Sequence, residues 1–395
     1  MRIGVVTTSY PRHERDPAGS FVAGQVDWLR GQGHSVEVVC AGDPATPHTP
    51  WQAGVPIHAV YSPPGLFYRG GAPDALDARP DRLIGAAGFA ARMTGAVARR
   101  AHRWQLIFAH WLIPSAAAAA VAPSPARMVG IAHSGDVHLL ARLGLSDPLT
   151  ALAAGRRMRL IFVADSVRRA LCLGISSVRL RGYVERRSAI IPMGLDCSRF
   201  SSLKTQPQAA APGAPARVLF LGRLVPIKGA DVLLAAAIEL RSYLDRELCI
   251  TIAGDGPQRA ELRRQAAQID NCAIEFAGEV DTDVRDRLLA GADVIAIPSM
   301  YTKGGRSEGA PLTAIEAMAA QVPVVAARSG GLGELPVGVA TIVAPGDPSA
   351  LARAMARVLC DRPYRDDLIT RAARFATSRD WSTIGHSIIN FAMNG

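Results

Sequence analysis

Several signatures that would decide the function of a 395-residue chain are missing here. The six cysteines (Cys40, Cys172, Cys197, Cys249, Cys272 and Cys360) show no C-x-x-C spacing. That argues against a zinc ribbon or a dithiol redox motif, and the expectation is reduced, buried thiols in a cytoplasmic protein. The nine histidines form neither H-x-x-x-H nor H-E-x-x-H, which speaks against a catalytic zinc. No G-x-G-x-x-G follows the first apolar run, so an NAD-type turn is unsupported. Aromatic residues make up only 6% of the chain and do not interleave with basic ones as an RNA-binding module requires. Met1–Thr7 is too short for a signal peptide and reads as a strand. Residues 104–126 carry no charge over 23 positions, long enough to span a bilayer. They also contain His110, Pro114, Pro123 and Pro125, and a strand, a turn and an alanine-rich helix fit them better.

Lysine is also missing from the first half. Residues 1–200 hold 23 arginines and no lysine against 13 acids, whereas residues 201–395 balance at 21 and 21. The whole net charge of +10 therefore lies in the first half, much of it at Arg156, Arg157, Arg159, Arg168, Arg169, Arg179, Arg181, Arg186 and Arg187. Such a half attracts an acidic partner: nucleic acid, an anionic membrane face or a charged acceptor. An arginine-biased solvated surface from a GC-rich genome explains it equally well.

The chain is 49% hydrophobic and 20% charged, a globular composition, and exceeds the length at which one core stops growing. Short apolar runs, such as Ile3–Val6, Val36–Val39, Val218–Leu221 and Val294–Ile297, alternate with helical patterns. Their continuous apolar character suits parallel strands covered on both faces, and the alternation suits doubly wound α/β units. The stretch 201–216, SSLKTQPQAAAPGAPA, is proline-rich and lacks apolar periodicity, as a linker would. The expected organisation is a Rossmann-like domain over 1–200, this linker, a second such domain over 217–380, and a final stretch, 381–395, with helical periodicity. Ligands of open parallel sheets bind beyond the carboxyl ends of the strands, so a cleft between the domains is expected to hold the site, with functional residues just after strands.

The most informative stretch runs from Ser307 to Gly333. Glu308, Gly309, Ala310 and Pro311 precede helix formers from Leu312, and Glu316 lies one turn further down that helix. Proline is tolerated in a first helical turn, and the free amides there form an anion site. An anion at the amides with a carboxylate one turn away suits a nucleotide diphosphate and its ribose. A second pattern, Gly222-Arg223…Lys228-Gly229, follows an apolar strand and precedes a helix. An arginine fork and a lysine point charge both suit phosphate oxygens.

Glu308-Gly309-Ala310-Pro311-Leu312…Glu316-Ala317-Met318-Ala319 resembles the E-G-x-P-L-x-x-x-E-A-M-A motif of retaining glycosyltransferases of family 4, and Gly222–Gly229 resembles their G-R-x-x-x-x-K-G element. The resemblance covers almost the whole chain and is specific between Gly222 and Glu316. It implies the GT-B fold, two Rossmann-like domains facing across a cleft, with the final helix, 381–395, crossing back to the first. It implies that Arg223 and Lys228 meet the diphosphate, Glu308 the sugar hydroxyls and Glu316 the ribose, with Gly309, Ala310, Pro311 and Leu312 lining the donor. Gly222 belongs to the same set, and Val280, in the segment Ile274–Val280, is expected to edge the nucleotide base. In the first half, Thr7–Phe21 resembles the family's flexible first loop, with Gly19 as the glycine that lets backbone approach the phosphates. His133-Ser134-Gly135-Asp136 resembles H-G-x-D, with Ser134 in the glycine's place. His133 alone fits a neutral core histidine equally well; the resemblance gives it a role beside sugar or acceptor, with Asp136 and His110 as acceptor-side candidates. Pro192–Phe200 resembles a segment leading into the hinge.

Asp281-Thr282-Asp283 looks like a metal-holding D-x-D, but it opens a helix, where acids cap. Ala327–Gly331 falls one residue short of a nucleophile elbow and reads as a turn near the sugar or acceptor. No carboxylate pair suggests a double displacement. The expected activity is retaining, metal-independent transfer of a hexose from a nucleotide-diphosphate donor to a glycan or lipid-linked acceptor in cell-surface polysaccharide or glycolipid synthesis, with front-face attack and no cofactor. The expected location is cytoplasmic, peripheral on the inner membrane face if the arginines bind lipid. Two other classes remain open: a nucleotide-sugar epimerase, which consumes donor without acceptor, and a basic nucleic-acid-binding protein, which a gel shift would reveal.

Overall fold

The structure, a computed structural model, describes residues 1–46, 52, 54–68, 72–79, 81–201, 203, 213–302, 305–309 and 312–394. The chain divides into two compact units, Met1–Gly194 with Trp381–Gly395, and Leu195–Asp380.

The first unit is built on a seven-stranded sheet: β1 (Arg2–Thr7), β2 (Ser35–Gly42), β3 (Ile57–Tyr61), β4 (Leu106–His110), β5 (Arg127–Ala132), β6 (Arg159–Phe162) and β7 (Ser188–Ile190). Its order is β3-β2-β1-β4-β5-β6-β7 and every pairing is parallel. The second unit has six strands: β8 (Ala216–Leu221), β9 (Leu248–Ala253), β10 (Cys272–Gly278), β11 (Val294–Ile297), β12 (Val324–Ala327) and β13 (Thr341–Val343). They run β10-β9-β8-β11-β12-β13, again all parallel. Both are Rossmann orders, in which the chain reverses direction across the sheet beside the first strand, opening a crevice at the strands' carboxyl ends. Alternate residues explain the unbroken apolar runs. Val218 and Phe220 enter one core with the helix Ala230–Ser242, while Leu219 enters another with Leu312–Ala319, so both faces of the strand are covered.

The division between units differs from the expected one. It falls at Gly194/Leu195, not at 200, and the expected linker lies within the second unit, with Ser202 and 204–212 outside the described residues. Tertiary contacts decide this. Leu195 bridges to Asp380, the Asp380 carboxylate accepts from the Cys197 amide at 3.1 Å, and Phe200 is buried in the second unit's core. The proline-rich stretch is therefore not the crossing point. The helix Trp381–Met393 groups with the first unit, where Gly24 and Gly385 admit the Trp381 and Trp28 rings.

Between β2 and β4 the first unit also holds the helix Ala72–Ala78, and β3 is an edge strand with exposed Ala59 and Tyr61, so it carries little apolar pattern. One smaller expectation also changes. All six cysteines are free, but only Cys40 is buried and Cys360 is exposed.

Candidate functional site

In the first unit the loops after β1, β4 and β5 carry one cluster. Gly19 begins the helix Ser20–Gly31 with φ 70°, and a Cβ there would stand 2.4 Å from the Ser9 carbonyl oxygen. Only glycine fits without moving backbone. The loop before it is pinned: Arg12 pairs with Asp16 and, at 2.7 Å, with Asp43. Two residues after Gly19, the Phe21 ring packs 5.2 Å from the His133 ring and 6.0 Å from that of His110.

His110 is fully buried at the end of β4, and His133 is half-buried just after β5. Their hydrogen bonds fix a chain of tautomers. Gln25 Oε1 can only accept, so His110 Nε2, 2.7 Å away, carries the proton and donates. His110 is held uncharged, its pKa pushed far down by burial and by His133. Its Nδ1 is then an acceptor, and His133 Nε2 donates to it at 3.1 Å. Burial lowers the His133 pKa to about 3, so His133 Nδ1 is left with a free lone pair. Asp136 braces both strand ends, accepting from the Leu112 amide at 2.6 Å and the His133 amide at 3.0 Å. Burial raises its carboxyl to about 6 against these hydrogen bonds. Ser134, which stands where the family motif has glycine, adopts φ 94°, a glycine conformation, at a cost of about 1–3 kcal/mol. Gln25 was missed in the sequence, although a polar residue among Val22, Ala23, Val26 and Leu29 on the buried helix face was a legible signal.

In the second unit the loops after β8, β9, β11 and β12 are laced together through their backbones. Met300 N donates to Ile227 O at 2.8 Å, Leu224 N to Asp255 O at 2.9 Å, and Gly331 N to Glu308 O at 3.1 Å. Gly229 has φ 68°, and a Cβ there would lie 2.0 Å from the Pro298 carbonyl oxygen. This lacing brings Lys228 Nζ to 2.6 Å from Glu308 Oε2, across 80 residues of sequence. A side chain on Gly222 would touch the Lys228 stem at 3.6 Å. Arg223 is half-buried in the same loop and Gly309 is buried beside Glu308. Ala310 and Pro311 lie outside the described residues. Leu312 opens the helix Leu312–Ala319.

Glu316 has a different ionic partner from the Lys228–Glu308 pair. It is buried and meets Arg285 Nη1 at 3.1 Å, in a file of charges that continues through Asp286 to Arg199. Burial raises its pKa against the pull of Arg285. Arg285 and Arg199 were not anticipated: nothing in their spacing marks them, since the helix Thr282–Gly291 and the segment at 199 meet only in the fold. Val280, half-buried, lies just before that helix. Asp281 caps the helix by accepting from Val284 N at 2.8 Å, and Ser329, in the turn after β12, is buried with its hydroxyl donating to Met300 O at 3.1 Å. After β9, Asp255 accepts from Gly256 N at 2.8 Å, and the helix that follows begins at Arg259. Among the described residues no three His, Cys, Asp or Glu side chains gather closely enough to hold a metal ion, and no helix is long and apolar enough to cross a membrane.

Two family profiles match, between them, most of the chain: "Glycosyl transferase 4-like domain" over residues 18–191 and "Glycosyl transferases group 1" over residues 215–361. The chain belongs to the group 1, family 4 glycosyltransferases. Within that family it is 34% identical over 220 residues to D-inositol 3-phosphate glycosyltransferase 2 of Catenulispora acidiphila, covering 51% of this chain and 50% of that one. The chain thus spans about half the length of that relative. It is 27% identical to a Bacillus subtilis protein described as a candidate teichuronic acid biosynthesis glycosyltransferase, TuaC, over 98% of this chain and 97% of the other. Among solved structures, HepE of Anabaena in complex with UDP superposes with a TM-score of 0.69 at 20% identity, covering 99% of each chain. The glycosyltransferase has the GT-B fold, two parallel-sheet α/β domains.

Proposed function

We infer that this glycosyltransferase moves a hexose from a nucleotide-diphosphate donor to a glycan or lipid-linked acceptor with retention, in cell-surface polysaccharide or glycolipid synthesis. The observation that carries the reading is the Lys228–Glu308 contact of 2.6 Å, which joins the two motifs at the carboxyl ends of β8 and β11. A diphosphate entering beside the first turn of the helix at Leu312 competes with Glu308 for the Lys228 ammonium. Lys228, Arg223 and the free helix amides then hold the charge that grows on the leaving diphosphate. Glu308, relieved of the lysine, accepts from sugar hydroxyls. These cations do the charge work for which a metal ion would otherwise be needed, so no metal is required. Glu316, Gly222, Gly309, Ala310, Pro311, Leu312 and Val280 complete the donor side. HepE structures with UDP and UDP-glucose on the same fold support this class of donor.

Gly19 lets backbone approach the donor phosphates, and His133 stands beside the sugar or acceptor, with Asp136 and His110 on the acceptor side; His133 Nδ1 presents a neutral acceptor to a hydroxyl. Attack from the face that the diphosphate leaves, with a phosphate oxygen taking the hydroxyl proton, gives retention without a protein nucleophile. The enzyme works in the cytoplasm.

The test is a thermal-shift screen with UDP-, GDP- and ADP-sugars, followed by product analysis with the stabilising donor. One donor should raise the melting temperature in the native chain and fail to do so in Lys228→Ala and Arg223→Ala. The anomeric configuration should be retained in the product. Unchanged stabilisation in both variants would remove the diphosphate assignment, and donor consumption without acceptor would mean an epimerase.

A further inference from the structure

Three helices of the second unit bring four charged side chains into one file. Glu316 lies in the helix Leu312–Ala319, Arg285 and Asp286 in Thr282–Gly291, and Arg199 in Cys197–Ser201. Arg199 donates to Asp286 Oδ2 from Nε at 3.0 Å and from Nη2 at 2.6 Å. Asp286 Oδ1 stands 3.8 Å from Arg285 Nε, and Arg285 Nη1 reaches Glu316 Oε1 at 3.1 Å. The side chains of Asp286 and Arg285 are each 13% exposed and that of Glu316 9%, so most of the file is out of water.

Such a file is a poor device for stability. Buried ion pairs can be replaced by well-packed apolar side chains with little or no loss, because desolvation offsets their attraction. This one is also incompletely hydrogen-bonded: among the described residues neither Arg285 Nε nor Asp286 Oδ1 has a hydrogen-bond partner, which adds to its cost. A charged array that packing does not require is expected where one of its members meets a ligand. Glu316 is the member with an oxygen to offer, since the Arg285 contact uses Oε1 and leaves Oε2 outside it. The other side of the contact has a fixed base. Asp281 accepts from Val284 N at 2.8 Å through its side chain and from Arg285 N at 2.9 Å through its carbonyl, which locks the helix turn that carries Arg285, directly after Val280.

We propose that Arg285 is the positioning residue of Glu316: Nη1 fixes Oε1, so that Oε2 keeps one direction for the hydroxyls of the donor's ribose, while Asp286, clamped by Arg199, holds the guanidinium in place. The inference rests on the reading that Glu316 meets the ribose. The charged groups acting on Glu316 are Arg285 and Arg199, which favour its carboxylate form, and Asp286, which opposes it together with burial. A carboxylate accepts from a hydroxyl more strongly than a carboxylic acid does. Without Arg285, Glu316 takes up its proton at a higher pH and its grip on the ribose weakens there.

Calorimetric titration of the full chain tests this, with UDP, GDP and ADP each set beside its 2′,3′-dideoxy analogue. The tightest ribonucleotide should bind the native chain roughly 10- to 100-fold more tightly than its analogue, a preference that reads the hydroxyl contacts alone. Glu316→Gln should lose most of it. Arg285→Gln should shrink it by roughly fivefold or more and leave the analogue's affinity unchanged, because Lys228 and Arg223 hold the diphosphate. The pH below which the preference falls should lie higher in Arg285→Gln than in the native chain. Arg285→Lys keeps the charge without the fork and should fall between the two. A native-like preference in Arg285→Gln, or in Arg285→Lys should the glutamine variant not fold, overturns the inference. So does an equal loss of affinity for ribonucleotide and analogue, which would make Arg285 a support of the fold alone. A preference kept in Glu316→Gln, no preference in the native chain, or no binding of any of the three nucleotides would remove the ribose reading of Glu316 itself, and the inference with it.

Discussion

The two units place their candidate functional groups at the same point of the same topology, after the strands beside which the sheet order reverses, yet they furnish it with opposite chemistry. In the second unit the groups are ionic: Lys228 against Glu308, Glu316 against Arg285, Arg285 against Asp286 and Arg199. In the first they are neutral dipoles, Gln25, His110 and His133, hydrogen-bonded in line and kept uncharged by burial, with Asp136 anchored on backbone amides. Ionic groups hold a ligand that is itself highly charged and can exchange partners when it arrives. A neutral chain holds a fixed donor–acceptor direction and suits a hydroxyl, whose proton must be steered without a strong field.

The contrast can be broken experimentally, most strongly on the ionic side. Lys228→Ala and Arg223→Ala should each lower turnover by roughly 10²–10³, measured as product formed under saturating donor; near-native turnover in both would show that the ionic cluster does not serve the reaction. Gly229→Ala should cost about 2–4 kcal/mol of stability in urea unfolding, combining a left-handed alanine with backbone displacement from Pro298, and should lower activity in step, because it shifts the loop that carries Lys228. A cost near zero would mean the loops are not locked as described.

On the neutral side, Asp136 gives a pH signature. Its folded pKa of about 6 lies above the ordinary value of 3.8, so between these values the folded chain binds the proton more tightly than the unfolded one. Its contribution to stability is then fully present below about pH 4 and is lost as pH rises through 6. The stability of the native chain relative to Asp136→Asn should therefore rise as pH falls from 6 to 4, by on the order of 1–3 kcal/mol; a flat difference would place the carboxyl in a wetter environment. The smallest effect is sought at Gln25. In ¹⁵N-histidine spectra near neutral pH, both rings of the His110–His133 pair should be uncharged and protonated at Nε2. Gln25→Glu should keep that state, because its carboxylate also accepts, while Gln25→Leu should leave the tautomers mixed. Unchanged spectra in Gln25→Leu would show that Gln25 does not set the direction of the pair.

Much of this was legible in one dimension. Apolar runs such as Val218–Leu221 mark strands because both faces of a parallel sheet are covered, and Glu308–Glu316 and Gly222–Gly229 are local patterns that need only a strand before and a helix after. The sequence also showed the arginine asymmetry, since charge is additive and needs no fold to count. What it could not show are the pairings set by distance in space. The crossing at Gly194/Leu195 depends on Asp380 meeting Leu195 and Cys197, so the proline-rich stretch that looked like a linker carried no such information. Arg285 became the partner of Glu316, and Gln25 the end of the histidine chain, through side chains that approach only after sheets and helices have packed. The residues of each motif were fixed by the order of amino acids, whereas their partners, and with them their protonation, were decided by the tertiary structure, because burial and contact are properties of neighbours that the chain keeps far apart.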